Sequence, residues 1–422
     1  MNKLYIFDKD FCKKHEGIKY LLSIFVNVFL FIQLFDISRQ SLKIPSIVNG
    51  LLSLLRDISI YAVAIFLLVK KKSKCPSLLY IFILLSIFIP GIIYIGNVIN
   101  KDTLVPFGAV IQSELLMLRP FLFLYVLYNL GCFYIFEKKG IIKTFIVSLV
   151  LIFILSAIIS VFFPGLRYKY DIENRIGLGN MSVQSGMYLC GFILCFYYFP
   201  FKENCINWFC SITLLIGILL SVCSTGVLCA VCVLVLFLFD KKTRKKSFSL
   251  LLLLTIGIYF FILKYYSLFE TFIDYFSSKL EDLIDLLLNS FTGESNKPVK
   301  SDSFSARDKQ IEYMLLYNNK PIDYIFGHGY FSVLIPEEMI ENGYYDLYFS
   351  CGIYGIIVLI FIYLKYGIKS IKFFFINHNI LGLCSLLSLV LFMVTLVVHM
   401  LCPLLLSFII LFYFVFCDKD LI

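Results

Sequence analysis

Charge is scarce in this chain. Only 15% of its 422 residues are Asp, Glu, Lys or Arg, against about a quarter in ordinary soluble domains. No stretch reads as an independent soluble domain. Histidine is rarer still: four are present, none spaced with cysteine or carboxylate as a ligand set, so no metal site is expected. The 14 cysteines do not change that, because most fall inside apolar runs and the one Cys-x-x-Cys, Cys229 to Cys232 in "CAVC", lies mid-helix. Small soft residues there serve helix contacts. The basic amino end, "MNKLYIFDKDFCKKHEGIKY", lacks a small-residue cleavage site after the apolar stretch that follows, which is therefore expected to remain as a first span.

What is present is oil. Sixty per cent of residues are hydrophobic, 45 are Phe and 28 Tyr, mean hydropathy is +0.90, and apolar runs near twenty residues recur along the length. Such a run crosses a hydrocarbon core as a helix that satisfies its own backbone. The fold expected is an all-α polytopic membrane protein of about twelve spans. Their expected bounds are 18–36, 46–69, 76–98, 115–136, 141–163, 182–201, 206–222, 225–239, 248–266, 345–364, 380–398 and 401–416. Residues 1–266 then hold spans one to nine, 267–344 form one large extracytoplasmic loop containing short helices, and 345–422 hold the last three spans. Lys and Arg in short loops stay on the cytoplasmic side. "KKKSK" (70–74), "EKK" (137–139), "DKKTRKK" (240–246) and "KYGIKSIK" (365–372) all fall on one side of this plan, together with both termini. The net charge of +9 is thereby read as a topology signal and not as nucleic-acid binding.

The long loop has internal order. In "SLFETFIDYFSSKLEDLIDLLLNSF", Phe269, Phe272, Phe276, Leu280, Leu283, Leu287 and Leu288 recur at helical spacing, which predicts an amphipathic helix on the membrane surface or on the bundle. A polar linker leads to Ser305 and Asp308, spaced as a capping box. Arg307 would then stand in the first turn, where the helix dipole opposes a cation but free N–H groups and a guanidinium can grip an anion. A solvated Arg307 paired with Asp308 or Asp302 is the plainer alternative. Pro321 follows that helix, and "GHGY" displays His328 between Gly327 and Gly329. Glu341 and Asp346 stand at the outer end of a span containing Gly352 and Gly355, and an acid at that depth is expensive and commonly functional.

In this order, Arg307, a helix, "PIDYIFGHGY", Glu341-Asn342, Asp346 and "GIYG" resemble the O-antigen polymerase and ligase superfamily, polytopic bacterial enzymes that join lipid-carried glycans. The twelve-span plan with one outer loop is similar, as is the tight turn in "LLSVCSTGVL", where this chain has Thr225 and the family often has Arg. Ligases carry His-Asn eleven residues before the first Gly of the Gly-x-x-Gly; Glu341-Asn342 holds that place here, which favours a polymerase. The resemblance implies a polysaccharide polymerase of the bacterial cytoplasmic membrane, acting on its outer face upon undecaprenyl-pyrophosphate-linked oligosaccharide, for O-antigen (lipopolysaccharide), capsule or exopolysaccharide. It implies a metal-independent glycosyltransferase with no cofactor, and membrane lipid, a flippase and a chain-length regulator as partners. Its catalytic candidates are Glu341 or His328 as base, Asp346 beside it, and Arg307 on pyrophosphate.

Further cations lie where such a substrate would need them. Arg167 and Arg175 fall in the expected outer loop after span five, with Lys169. Arg119 falls near the outer end of span four with Glu114, and Arg56 lies within span two beside Asp57, where an internal ion pair is the plainer reading. A ligase-type transferase and a flippase or polysaccharide transporter stay open. Against the transporter, the two halves show no internal repeat of the kind many transporters carry.

Overall fold

The computed structural model describes residues 28, 30–35, 42–69, 122, 125–126, 138–166, 181–221, 223–264, 321–327, 343–377, 379–393 and 411. Among them the chain is helical and no β-strand is present. The helices are α1 (Ser46–Val69), α2 (Lys138–Phe162), α3 (Met181–Tyr198), α4 (Asn204–Leu220), α5 (Ser224–Phe239), α6 (Arg244–Lys264), α7 (Pro321–Phe326), α8 (Gly343–Asn377) and α9 (Leu381–Met393). A short 3-10 turn, Pro164–Leu166, follows α2. The spans expected at 46–69, 141–163, 182–201, 206–222, 225–239 and 248–266 overlie α1 to α6 in turn. The span expected at 76–98, all of 401–416 but residue 411, and most of the 267–344 loop lie outside the described residues. By length and composition, Gly140–Phe162 and Cys351–Ile376 are long and apolar enough to cross a membrane, and four shorter helices are apolar.

Burial shows how the bundle is organised. Every residue from Val183 to Tyr197 is buried, so α3 is the central helix, packed by α2, α4, α5 and α9. The outward faces are apolar too. Val147, Leu151, Leu155 and Ile158 on α2, Phe209, Ile212 and Ile216 on α4, Val231, Val235 and Phe239 on α5, and Ile353, Ile357, Ile360, Leu364 and Ile368 on α8 are all exposed at three- and four-residue spacing. Several hydroxyls face inward: Ser385 and Ser388 donate to the carbonyls of Leu381 and Cys384, at 2.7 and 2.8 Å. Lipid satisfies such stripes, whereas water would meet large contiguous apolar patches.

The short turns joining α3 to α4, α4 to α5 and α5 to α6 set those packed neighbours antiparallel and give the bundle two ends. At the upper end, Lys43 N donates to Leu166 O (2.9 Å) and the α4–α5 turn closes at Ser221 to Cys223. At the lower end lie the Asp240–Thr243 turn, the exit of α3 and the start of α9. Lys202, Lys241, Lys242, Arg244, Lys245 and Lys246 gather there, and Lys365, Lys369 and Lys372 stand in the lower half of α8.

α8 departs from expectation. A straight span over 345–364 with a basic loop after it is replaced by a helix that continues to Asn377 and breaks at Gly352. Tyr344 and Tyr363 hydroxyls are 3.3 Å apart although 19 residues separate them. At a rise of about 1.5 Å per residue a straight helix would hold them about 28 Å apart, farther than two tyrosines can bridge. The short arm, 343–351, therefore folds back beside the long arm, 353–377. Gly352 makes this possible: its φ of 66° and ψ of −166° belong to a region open almost only to glycine.

Candidate functional site

The upper end joins two sequence segments into one unit. Pro321 opens α7, a position where its missing N–H is no loss, and Gly327 closes it with φ 73° as its N–H donates to Asp323 O at 2.9 Å. The Ile325–Phe326 peptide then lies flat on Gly352. A Cβ at position 352 would overlap the Ile325 carbonyl and come within 2.5 Å of Phe326 N. The Phe326 and Tyr354 rings sit 5.9 Å apart across the same contact. Leu347, Phe349 and Cys351 of the short arm are buried, and Tyr344 donates to Val390 O at 3.0 Å, anchoring that arm to α9. A reversed segment of this kind is tolerated at membrane depth where protein covers it.

Asp346 belongs to this short arm, so its backbone stands within the fold-back and not at the mouth of a straight span. Arg56 lies in α1 next to half-buried Asp57. Arg119, Arg167, Arg175, Arg307, His328, Glu341 and Asn342 lie outside the described residues, as do the Ser305–Asp308 capping box and the amphipathic stretch. Chain connectivity still ties the two candidate bases to the joint. His328 directly follows Gly327, and Glu341-Asn342 directly precedes Gly343. Sequence reasoning passed over Asp323, a buried carboxylate in α7, because a lone acid in a polar loop reads as solvated.

The turn expected from "LLSVCSTGVL" is present between Leu220 and Ser224, with Ser221 Oγ donating to Ile218 O at 2.7 Å. Gly226 of α5 crosses Ser185 of α3 so closely that a Cβ there would overlap Ser185 Oγ and lie 2.8 Å from Ser185 Cβ. Ser185 Oγ is buried at this crossing with no hydrogen-bond partner among the described residues, and one turn along α3 the buried Tyr188 hydroxyl lies near Ser156 of α2. Gly226→Ala should lower stability by about 1–3 kcal/mol, the usual range for overpacking. Adding Ser185→Ala should recover part of the loss, because it removes the Oγ overlap and leaves only the tight Cβ–Cβ contact. Thermal unfolding of the two single variants and the double variant checks this, and strictly additive losses would refute the crossing.

Compared with known proteins, the chain matches no family model and no curated protein.

Proposed function

We propose that this chain is a membrane-embedded polymerase that joins undecaprenyl-pyrophosphate-linked oligosaccharide repeat units. The observation that supports it most is the joint at Gly352. "PIDYIFG" and "GYYDLYFSCGIYG", the two segments carrying the superfamily resemblance, pack on one another, and both ends of the intervening stretch with His328 and Glu341 leave from that unit.

In this reading the pyrophosphate of one carrier-linked glycan is the leaving group. An acceptor hydroxyl on the next unit attacks the anomeric carbon, its proton passes to Glu341, and the carbon–oxygen bond to pyrophosphate breaks with its electron pair going to the carrier. Arg307 neutralises the charge that develops on pyrophosphate, with Arg119, Arg167, Arg175 and Arg56 as further anion contacts and Asn342 beside the base. Asp346 orients the base, and His328 is the alternative base. A good leaving group asks no more of the protein than charge neutralisation and proton removal.

A transporter is the second reading, and the broken α8 is what favours it, since discontinuous helices line many transport sites. Gene loss separates the two. Loss of a polymerase leaves single repeat units displayed outside, on lipid A core or carrier, whereas loss of a transporter traps them inside.

Two further expectations belong here. A reporter fused after Lys246 should be cytoplasmic and one inserted near Asn296 external; a cytoplasmic Asn296 would overturn the site. Arg307→Lys keeps charge but loses the planar two-point grip, and should lose much of the polymerisation rate. A normal rate for Arg307→Ala at normal protein level would remove Arg307 from the mechanism.

A further inference from the structure

The lower end of the bundle carries a second constellation that the glycan chemistry does not use. The α5–α6 turn is rigid: Lys242 N donates to Asp240 Oδ1 (3.1 Å), Thr243 Oγ1 lies 2.9 Å from Phe237 O and 3.2 Å from Asp240 Oδ2, and Ser247 Oγ donates to Leu234 O (2.7 Å). Facing it, the exit of α3 is equally fixed. Phe201 N donates to Asn207 Oδ1 (3.0 Å), while Asn207 Nδ2 donates to the carbonyls of Phe201 (2.9 Å) and Glu203 (3.0 Å). Phe199 is held there at φ 46°, its ring edge-on to Trp208 at 5.8 Å.

The two loops meet through cations on ring faces. Lys242 Nζ lies 4.2 Å from the Tyr197 ring centre and 5.5 Å from that of Tyr198, and Lys246 Nζ lies 3.3 Å from that of Phe199. Residues 240–246 hold five cations and one acid, a net of five minus one, +4, and the acid, Asp240, is buried and occupied in holding the turn. Ring faces fix ammonium groups that would otherwise sweep freely on their stems, so less entropy is lost when an anion arrives. Burial pulls the Lys246 ammonium below its usual range, with Lys242 adding to the effect, so an anion placed between them relieves both. Exposed Phe209, Phe239 and Phe248 adjoin these loops and continue into the outward apolar stripes of α4, α5 and α6, a surface for acyl chains.

We propose that this face binds the phosphodiester headgroup of an anionic phospholipid, with Lys242 and Lys246 as its cations and the adjoining apolar stripes under its acyl chains. The proposal rests on the membrane reading and is independent of the glycan chemistry.

The test uses the full chain, purified and delipidated in mild detergent, then given dioleoylphosphatidylglycerol, dioleoylphosphatidylcholine or inorganic phosphate. Lipid retention is read by native mass spectrometry and unfolding by thermal shift. Phosphatidylglycerol should be retained and should raise the midpoint, and neither phosphatidylcholine nor phosphate should do so. Lys242→Gln with Lys246→Gln should weaken retention on the order of 25-fold, about fivefold per cation, and Lys246→Arg should keep it. Equal retention of the two lipids, equal stabilisation by phosphate, or undiminished retention by the double variant would each overturn the proposal. Should the double variant fail to fold, the parent decides. Retention of phosphatidylglycerol that falls from low to molar salt upholds the site, and salt-insensitive retention overturns it.

Discussion

Gly352→Ala should dismantle the upper joint and, with it, the activity. Two costs add. The backbone at φ 66°, ψ −166° is open almost only to glycine, so any side chain there carries strain of about 1–3 kcal/mol. The new Cβ also overlaps the Ile325 carbonyl, and a backbone group cannot rotate away as a side-chain tip can. A combined loss of about 3 kcal/mol or more is expected, read as a depressed unfolding midpoint and absent polymer. Gly367→Ala is the control: its nearest neighbour would be Leu386 Cδ2 at 3.5 Å, an ordinary contact, and it should be tolerated. Equal behaviour of the two variants would show that the fold-back does not hold.

Glu341→Gln should cost about 10² or more in initial rate, the usual scale for removing a general base, while leaving the protein folded. Glu341 occupies the position where ligases of the superfamily that the sequence resembles keep a titratable His, so the place suits a proton acceptor. A carboxylate there accepts a proton only above its own pKa. The parent's rate should fall as pH drops through that pKa, because protonation removes the acceptor. The glutamine variant should show a low rate without that acid limb. Asp346→Asn should cost less, as an orienting group. A near-normal rate for Glu341→Gln together with loss at His328→Ala would transfer the role to the histidine.

Much of the bundle was legible because hydropathy reports depth. α1 ends where the apolar run ends at Val69, and the α4–α5 turn was visible as Ser, Cys and Thr between two apolar runs. The reversal in α8 was not legible. Gly352 sits in an apolar run that counts as span whether the chain continues or turns back, and glycine is common within spanning helices. Only long-range partners, the Ile325–Phe326 peptide and Tyr363, settle the choice, and a hydropathy window sees neither. Lys365, Lys369 and Lys372 read as a loop because lysine marks span ends, yet they ride on the helix, where long stems let ammonium groups reach water. Of the candidate site, "GIYG" and "PIDYIFG" were visible as motif, but their direct packing was not.

The central claim is chain growth, and purified protein in proteoliposomes supplied with one defined undecaprenyl-pyrophosphate-linked repeat unit tests it most directly. A polymerase should yield a ladder of glycans differing by whole repeat units, with undecaprenyl pyrophosphate released at each step. Transfer of the unit across the bilayer at unchanged length, with no ladder and no released carrier, would contradict the account.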